Sequence, residues 1–150
     1  MLVLALTLGA CGGRGERARP EATARALMVA LQSAQGDARA RARVYSLLSA
    51  RRQEALQRRA QLSSQMSGFT LEPWEMIAPG RIRMRVIFDA STTTTARVRG
   101  DTAVVTVRDR RGGSAEVPLV REAGQWRVDL EVPVFVQGPT TNEPSAPRAP

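Results

Sequence analysis

The hydrophobic pattern of this chain changes its period once, near residue 69. Before this point apolar residues recur three or four positions apart, as Leu27, Leu31 and Ala34 do, which is the spacing of one face of an α-helix. After it they alternate with polar residues, as Trp126 and Val128 do, which is typical of a strand with one buried face. The order predicts an α+β domain in which N-terminal helices pack on one face of an antiparallel β-sheet.

Three helices are predicted before the change of period. Pro20 suits the first turn of the first helix, Gly36 ends that helix, and Asp37 caps the second. Ser49 is the expected cap of a third helix that Gly68 closes. The residues expected to face the core are Leu27, Leu31, Ala34, Ala40, Val44, Leu47, Leu48, Leu56 and Ala60.

Four strands are predicted after it, over residues 81–89, 102–108, 114–122 and 125–132, whereas residues 91–95 are consistent with either a strand or a loop. Glycine-containing turns separate the last three strands, so neighbouring strands are expected to be antiparallel. Pro118 lacks the N–H that a central ladder needs, which predicts an edge position or a bulge. Asp129 alternates with Val128 and Leu130, so its side chain is expected to face solvent.

The N-terminus carries an apolar run that ends at the only cysteine of the 150 residues and then turns basic. The run is far shorter than the roughly 20 apolar residues that span a bilayer, and its length suits a signal peptide. Leu8, Gly9, Ala10 and Cys11 resemble the lipobox of bacterial lipoproteins. No basic residue precedes the run, which is consistent with a true start upstream of Met1. The alternative interpretation is a cytosolic protein with an apolar N-terminus and an isolated cysteine.

The lipobox resemblance implies cleavage before Cys11 and a diacylglycerol on its sulfur. Membrane lipid is then the first expected partner, and the protein faces the periplasm, with the outer membrane favoured over the inner by Gly12. The implied organisation is a signal peptide over 1–10, a lipidated cysteine and flexible tether over 11–20, a folded domain over 21–136 and a disordered proline-rich tail over 137–150.

Two stretches sharpen the expected fold. Residues 36–56 resemble the second helix and helix break of the NTF2-like superfamily, and residues 95–130 resemble its closing meander, with Gly100 and Asp101 before one strand and Gly124 and Trp126 opening the last. The resemblance implies a cone in which a curved sheet wraps over helices and often encloses a pocket. Enzymes of this superfamily, the ketosteroid isomerases and related dehydratases, use Asp, Tyr and His inside the cone.

Few residues are candidates for chemistry. The chain has no histidine, which removes the commonest general base and metal ligand, and one cysteine excludes an internal disulfide and a cysteine-based zinc site. No metal site and no cofactor are therefore expected. A possible pocket would be lined by Tyr45, Trp74 and Asp89, although the residues around them favour a packed helix residue for Tyr45 and a turn residue for Asp89.

The net charge of +8 comes entirely from arginines in excess of acidic residues, and Arg81, Arg83 and Arg85 form one face of the first predicted strand. No aromatic residues are interleaved with them, which disfavours nucleic acid as a partner.

The leading hypothesis is an envelope lipoprotein with a non-catalytic NTF2-like domain that binds a protein or a small apolar ligand, or supports an assembly. The alternatives are a small isomerase or dehydratase and a structural homodimerisation module.

Overall fold

The computed structural model describes residues 19–78, 82 and 86–131. Three helices lie on one face of a four-stranded antiparallel sheet, so the predicted α+β class is confirmed. In chain order the elements are α1 (Pro20–Ser33), α2 (Ala38–Leu47), α3 (Ala50–Ser67), a 3-10 turn (Pro73–Met76), β1 (Thr93–Arg99), β2 (Thr102–Arg108), β3 (Ser114–Glu122) and β4 (Gln125–Val128).

The helix boundaries follow the local signals predicted for them. Pro20 opens α1, and the carboxylate of Asp37 accepts a hydrogen bond from the backbone N–H of Arg39 at the start of α2, at 2.8 Å. Gly68 ends α3 in the left-handed conformation, with φ of 75°. Ser49 precedes α3 as predicted but makes no side-chain cap, because its hydroxyl donates to Asp129 instead.

The core lies between α1 and the sheet and continues outward to α2 and the start of α3. α1 packs directly on β1, β2 and β4, and α2 packs on α1. The strand alternation is as predicted, since β2, β3 and β4 each present apolar side chains to the helices. The main buried residues are Leu27, Val44, Leu48, Leu56, Val105, Val107, Val117, Leu119, Trp126 and Val128.

The strands form a meander in the order β1-β2-β3-β4, in which every neighbouring pair is antiparallel. The outer edge of β4 is covered by the link between α2 and α3. Leu48 forms a parallel bridge with Val128, and the N–H of Ser49 donates to the carbonyl of Val128 at 2.8 Å. One edge of the sheet is therefore satisfied by the helical half of the chain, which limits strand addition there.

The prediction of a first strand over 81–89 is wrong for its described residues, 82 and 86–89. Val86 and Phe88 pack against the core and Ile87 is exposed, so the alternation is present without a strand ladder. The N–H of Ile87 donates to the carboxylate of Asp109 at 2.9 Å rather than to a neighbouring strand. The residues that pair with β2 are Thr93–Arg99, because the tight turn at Gly100 brings them into register.

The edge position predicted for Pro118 is also wrong, since β3 lies between β2 and β4. The ladder between β3 and β4 ends with the pair of Leu119 and Val128, so Pro118 lies just beyond it. The carbonyl of Pro118 accepts a hydrogen bond from the N–H of Asp129 at 2.9 Å, but Pro118 has no N–H to donate to the carbonyl of Asp129 in return. Arg52 supplies that donor, because its Nη2 lies 3.2 Å from the carbonyl oxygen of Asp129.

Candidate functional site

Asp89 lies in a turn that precedes β1. Its carboxylate accepts hydrogen bonds from the N–H and the hydroxyl of Ser91, and its own N–H donates to Thr92 Oγ1 at 2.9 Å. The hydrogen bonds from the Ser91 side chain and backbone lower the pKa of Asp89 below its ordinary value. A carboxylate with a lowered pKa is a weak general base at neutral pH, so this geometry suits a turn residue better than a catalytic one.

Tyr45 and Trp74 lie in adjoining elements. Tyr45 belongs to α2, Trp74 belongs to the 3-10 turn, and these two elements pack against each other. Both rings are half-buried against the core. Asp89 lies elsewhere, next to Phe88, whose carbonyl accepts a hydrogen bond from Gln32 near the end of α1 at 2.6 Å. The two aromatic candidates thus lie on elements that pack against each other, while Asp89 is held in a separate turn.

Two open concavities occur at the surface of the described residues, and both are edged by arginine. One, of about 310 Å³, lies along the hairpin of β1 and β2 between Arg97, Arg99 and Thr102. The other, of about 590 Å³, lies at the start of α1 between Arg19, Glu21 and Arg25. Neither is lined by Tyr45, Trp74 or Asp89. The remaining predicted site residues, Cys11 and the three arginines at 81, 83 and 85, lie outside the described residues.

The face of the sheet that turns away from the helices, here called the outer face, combines apolar and basic side chains. Val104, Pro118 and Val120 are half-buried at its centre. Two cross-strand rows pass through them: Arg97 lies opposite Val104, which lies opposite Pro118, and Arg99 lies opposite Thr102, which lies opposite Val120. This arrangement suits contact with another protein, because an apolar centre is flanked by charge.

The charge of the outer face is positive. Arg97, Arg99 and Arg108 stand on it, and among the described residues only Arg97 has an ion-pair partner, Glu116 at 3.2 Å, in an exposed pair of the kind that contributes little to stability. Two other charged side chains of this face turn to the helices: Arg127 to the carbonyl of Ser46 at 2.6 Å and Glu122 to the N–H of Ala50 at 3.0 Å. The charges that remain outward are three arginines and one glutamate, which favours an acidic partner surface.

A polar junction that sequence reasoning missed joins β4 to the start of α3. Asp129 accepts hydrogen bonds from Ser49 Oγ at 2.8 Å and Arg52 Nε at 3.2 Å, and it also pairs with Arg51. The prediction that Asp129 faces solvent is wrong, since only 24% of its side chain is exposed. Strand alternation mispredicted its environment because β4 ends at Val128, one residue earlier.

The electrostatics of this junction favour a structural role. Burial by itself raises the pKa of Asp129, but the hydrogen bonds from Ser49 and Arg51 and the charge of Arg52 outweigh it, so the pKa lies below its ordinary value. Asp109 is held in a similar way, because the backbone N–H of Ile87 lowers its pKa and those of Gly113 and Arg111 add to the effect. Hydrogen-bond donors within the domain therefore stabilise the ionised form of both carboxylates.

The described residues do not bring three or more histidine, cysteine or acidic side chains into a cluster that could hold a metal ion. Among those same residues, no helix has both the length and the apolar content to span a bilayer.

Comparison with known proteins finds no protein family, no curated protein and no solved structure that matches the chain.

Proposed function

We propose that this chain is a bacterial envelope lipoprotein, held on a membrane through Cys11 and facing the periplasm, whose α+β domain binds a partner instead of catalysing a reaction. The observation that supports the anchor is the apolar run that ends at Leu8, Gly9, Ala10 and Cys11, directly before the basic tether. Two or more acyl chains on one cysteine anchor a protein stably, because each buried methylene contributes about 0.8 kcal/mol.

We propose an NTF2-like domain for the folded part. The support is the order of elements, three helices followed by an antiparallel meander with the helices on one sheet face. The isomerase- or dehydratase-type alternative lacks comparable support, because Asp89 has a lowered pKa and lies in a turn apart from Tyr45 and Trp74.

The binding surface that we propose is the outer face of the sheet, and the proposed occupant is an acidic surface of another envelope protein. Val104, Pro118 and Val120 would supply the apolar centre of the contact, and Arg97, Arg99 and Arg108 its charged rim. A second copy of this chain is the alternative occupant, and the apolar centre favours it as well. Charge disfavours it, since a pair of identical outer faces would oppose six arginines to two glutamates.

The anchor is tested with Cys11→Ser in cells. We expect the variant to keep its uncut signal peptide and to lack the mass of a diacylglycerol, both measured by mass spectrometry of the purified chain. Thr7→Ser, a conservative change inside the apolar run, is the matched control and should be processed and lipidated like the unaltered protein. Cleavage of Cys11→Ser at the normal rate, or an unaltered protein whose mass lacks the diacylglycerol, would exclude the lipoprotein hypothesis.

The occupant of the outer face is tested by sedimentation of the full chain in detergent. A monomer at micromolar concentration supports a heterologous partner. A dimer that Val104→Glu with Val120→Glu converts to a monomer would instead assign the outer face to a second copy. Val29→Glu with Val98→Glu is the matched control, because both valines are exposed by more than half and lie off this face.

A further inference from the structure

Three large apolar side chains protrude at the end of α3, and they form what is here called the apolar tip. Leu62 and Met66 lie one helical turn apart, and Phe69 follows the helix directly after Gly68. They are 57%, 80% and 73% exposed, respectively. Exposed apolar side chains scattered singly are common, whereas three together at a convex end mark a contact site.

The backbone holds the tip in this protruding shape. Ser64 Oγ accepts a hydrogen bond from the N–H of Leu71 at 2.9 Å, and the carbonyl of Ser64 accepts from the N–H of Gly68 at 2.9 Å. The chain therefore reverses tightly after the last helical turn. Phe69, which lies at the reversal, is presented to the surroundings and not folded back onto the core.

The size of the tip disfavours a stable contact with a second copy. Three side chains of this kind expose a few hundred Å² at most, and each partner of a stable dimer buries roughly 800 Å². A lipid bilayer needs neither a large area nor shape complementarity, because its headgroup region accommodates single protruding side chains.

The charges near the tip are of both signs and nearly balance. Arg58 pairs with Glu54 at 2.7 Å, and Arg59 follows it on α3. Glu72 and Glu75 lie beyond the tip, and each carboxylate is engaged with the backbone of the 3-10 turn in a capping box. Because no strong charge of one sign surrounds the tip, its contact with a bilayer would depend on its apolar side chains.

The proposed anchor brings the tip within reach of a membrane. α1 and α3 begin beside the same strand, since Thr23 Oγ1 donates to the carbonyl of Trp126 and Ser49 N–H donates to that of Val128. α3 has 18 residues and is about 27 Å long, and the chain from Cys11 to Pro20 spans at most about 30 Å. The anchored domain can therefore touch the bilayer with the far end of α3.

We infer that Leu62, Met66 and Phe69 insert into the interface of the bilayer that holds Cys11 and so fix the orientation of the domain on it. This inference rests on the proposed anchor. The orientation leaves the outer face of the sheet free for a protein partner, because the tip belongs to the helical half of the molecule. The lipid anchor and the tip would act as two linked contacts with the bilayer, because the anchor keeps the tip at a high local concentration beside the membrane.

The test uses the full lipidated chain with Met66→Cys, in which the sulfur of Cys11 carries lipid and residue 66 has the only free thiol, labelled with an environment-sensitive fluorophore. The lipid on Cys11 holds this variant on vesicles of phosphatidylethanolamine and phosphatidylglycerol. We expect the emission of the fluorophore to shift to shorter wavelength when vesicles are added. Lipids that carry a quencher in the upper part of the acyl chain should reduce its intensity. Val98→Cys in place of Met66→Cys is the matched control, 52% exposed, and should show neither effect.

Equal signals from positions 66 and 98 would overturn the inference. A blue shift that grows with protein concentration in the absence of lipid would assign the tip to a second copy instead. In the labelled chain, Leu62→Ser with Phe69→Ser should weaken insertion at least about tenfold, whereas Val29→Ser with Ile87→Ser should leave it unchanged. Failure of the anchor itself is read separately, from the mass of Cys11 in the unaltered protein.

Discussion

The first and third helices of this protein are stabilised in different ways. α1 buries six of its 14 residues, among them Leu27 and Met28, and packs directly on three strands. α3 is longer, with 18 residues, yet buries only Leu56 and Ala60. The contrast teaches that α1 is part of the hydrophobic core, whereas α3 is attached mainly at its first turns and presents its far end to the surroundings.

The attachment of α3 is largely polar. Arg52 and Ser49 hold Asp129, and Gln53 Nε2 donates to the carbonyls of Tyr45 at 3.0 Å and Leu48 at 3.2 Å. Glu122 accepts from the N–H of Ala50 at 3.0 Å, which supplies a partner for one of the unpaired N–H groups of a helix start. α3 can therefore expose apolar side chains at its other end without loss of its position.

Leu27→Ala should produce the largest loss of stability. Leu27 is 1% exposed between α1 and the sheet, and truncation of such a leucine removes buried apolar contacts and leaves a cavity. The expected cost is about 2–5 kcal/mol in the free energy of unfolding, measured by urea denaturation of the full chain. A loss below about 1 kcal/mol would mean that α1 does not belong to the core, and the contrast with α3 would fail.

Asp129→Asn should have a smaller effect, because it weakens charge-assisted hydrogen bonds and leaves the core intact. We expect a loss of about 1–3 kcal/mol at pH 7. The loss should depend on pH. The pKa of Asp129 is lowered in the folded protein, so the ionised carboxylate contributes stability above its unfolded pKa of about 3.9, and this contribution is lost as the pH falls through the folded pKa.

The unfolding free energies of the unaltered protein and of Asp129→Asn should therefore differ most at neutral pH and converge in acid. Urea titrations at pH 7 and near pH 3 measure this difference. Glu131→Gln is the matched control, because Glu131 is an exposed carboxylate two residues away and its substitution should leave the unfolding free energy at pH 7 nearly unchanged. If the difference between unaltered protein and Asp129→Asn persisted unchanged in acid, the junction would not depend on the charge of Asp129.

Leu62→Ala should have the smallest effect and completes the comparison, since it makes the same substitution as Leu27→Ala on the other helix. Leu62 is 57% exposed, so its truncation removes little buried area. The unfolding free energy should change by no more than about 0.5 kcal/mol. A cost comparable to that of Leu27→Ala would show that the end of α3 is packed, and the apolar tip would lose its basis.

Much of the secondary structure could be predicted because its signals are local. The capping side chain of Asp37, the left-handed Gly68 and the alternation from Ala103 to Val107 each depend on residues close in sequence. The predicted first strand was wrong because residues 81–89 show the stronger apolar alternation. The strand that pairs with β2 is instead Thr93–Arg99, which a short turn joins directly to β2. Pairing depends on a partner strand, which a single stretch does not specify.

The candidate site was less predictable than the fold. Tyr45 and Trp74 adjoin only because α2 packs on the 3-10 turn, and Asp89 is separated from them by its own turn. The alternation of polar and apolar residues around Asp129 did not indicate that its carboxylate accepts a hydrogen bond from Ser49, 80 positions earlier in the chain. Contacts over such distances carry no periodic signal in the chain.

By itself, the sequence determined the α+β class, the helix ends and the inward face of β2, β3 and β4, because backbone geometry converts residue spacing directly into faces and turns. The anchoring cysteine is likewise a prediction that only the sequence supports. The tertiary structure decided which stretch becomes β1, why Pro118 is tolerated inside the sheet and which apolar side chains of α3 remain exposed. These outcomes depend on which segments meet, and burial and hydrogen-bond partners exist only once they have met.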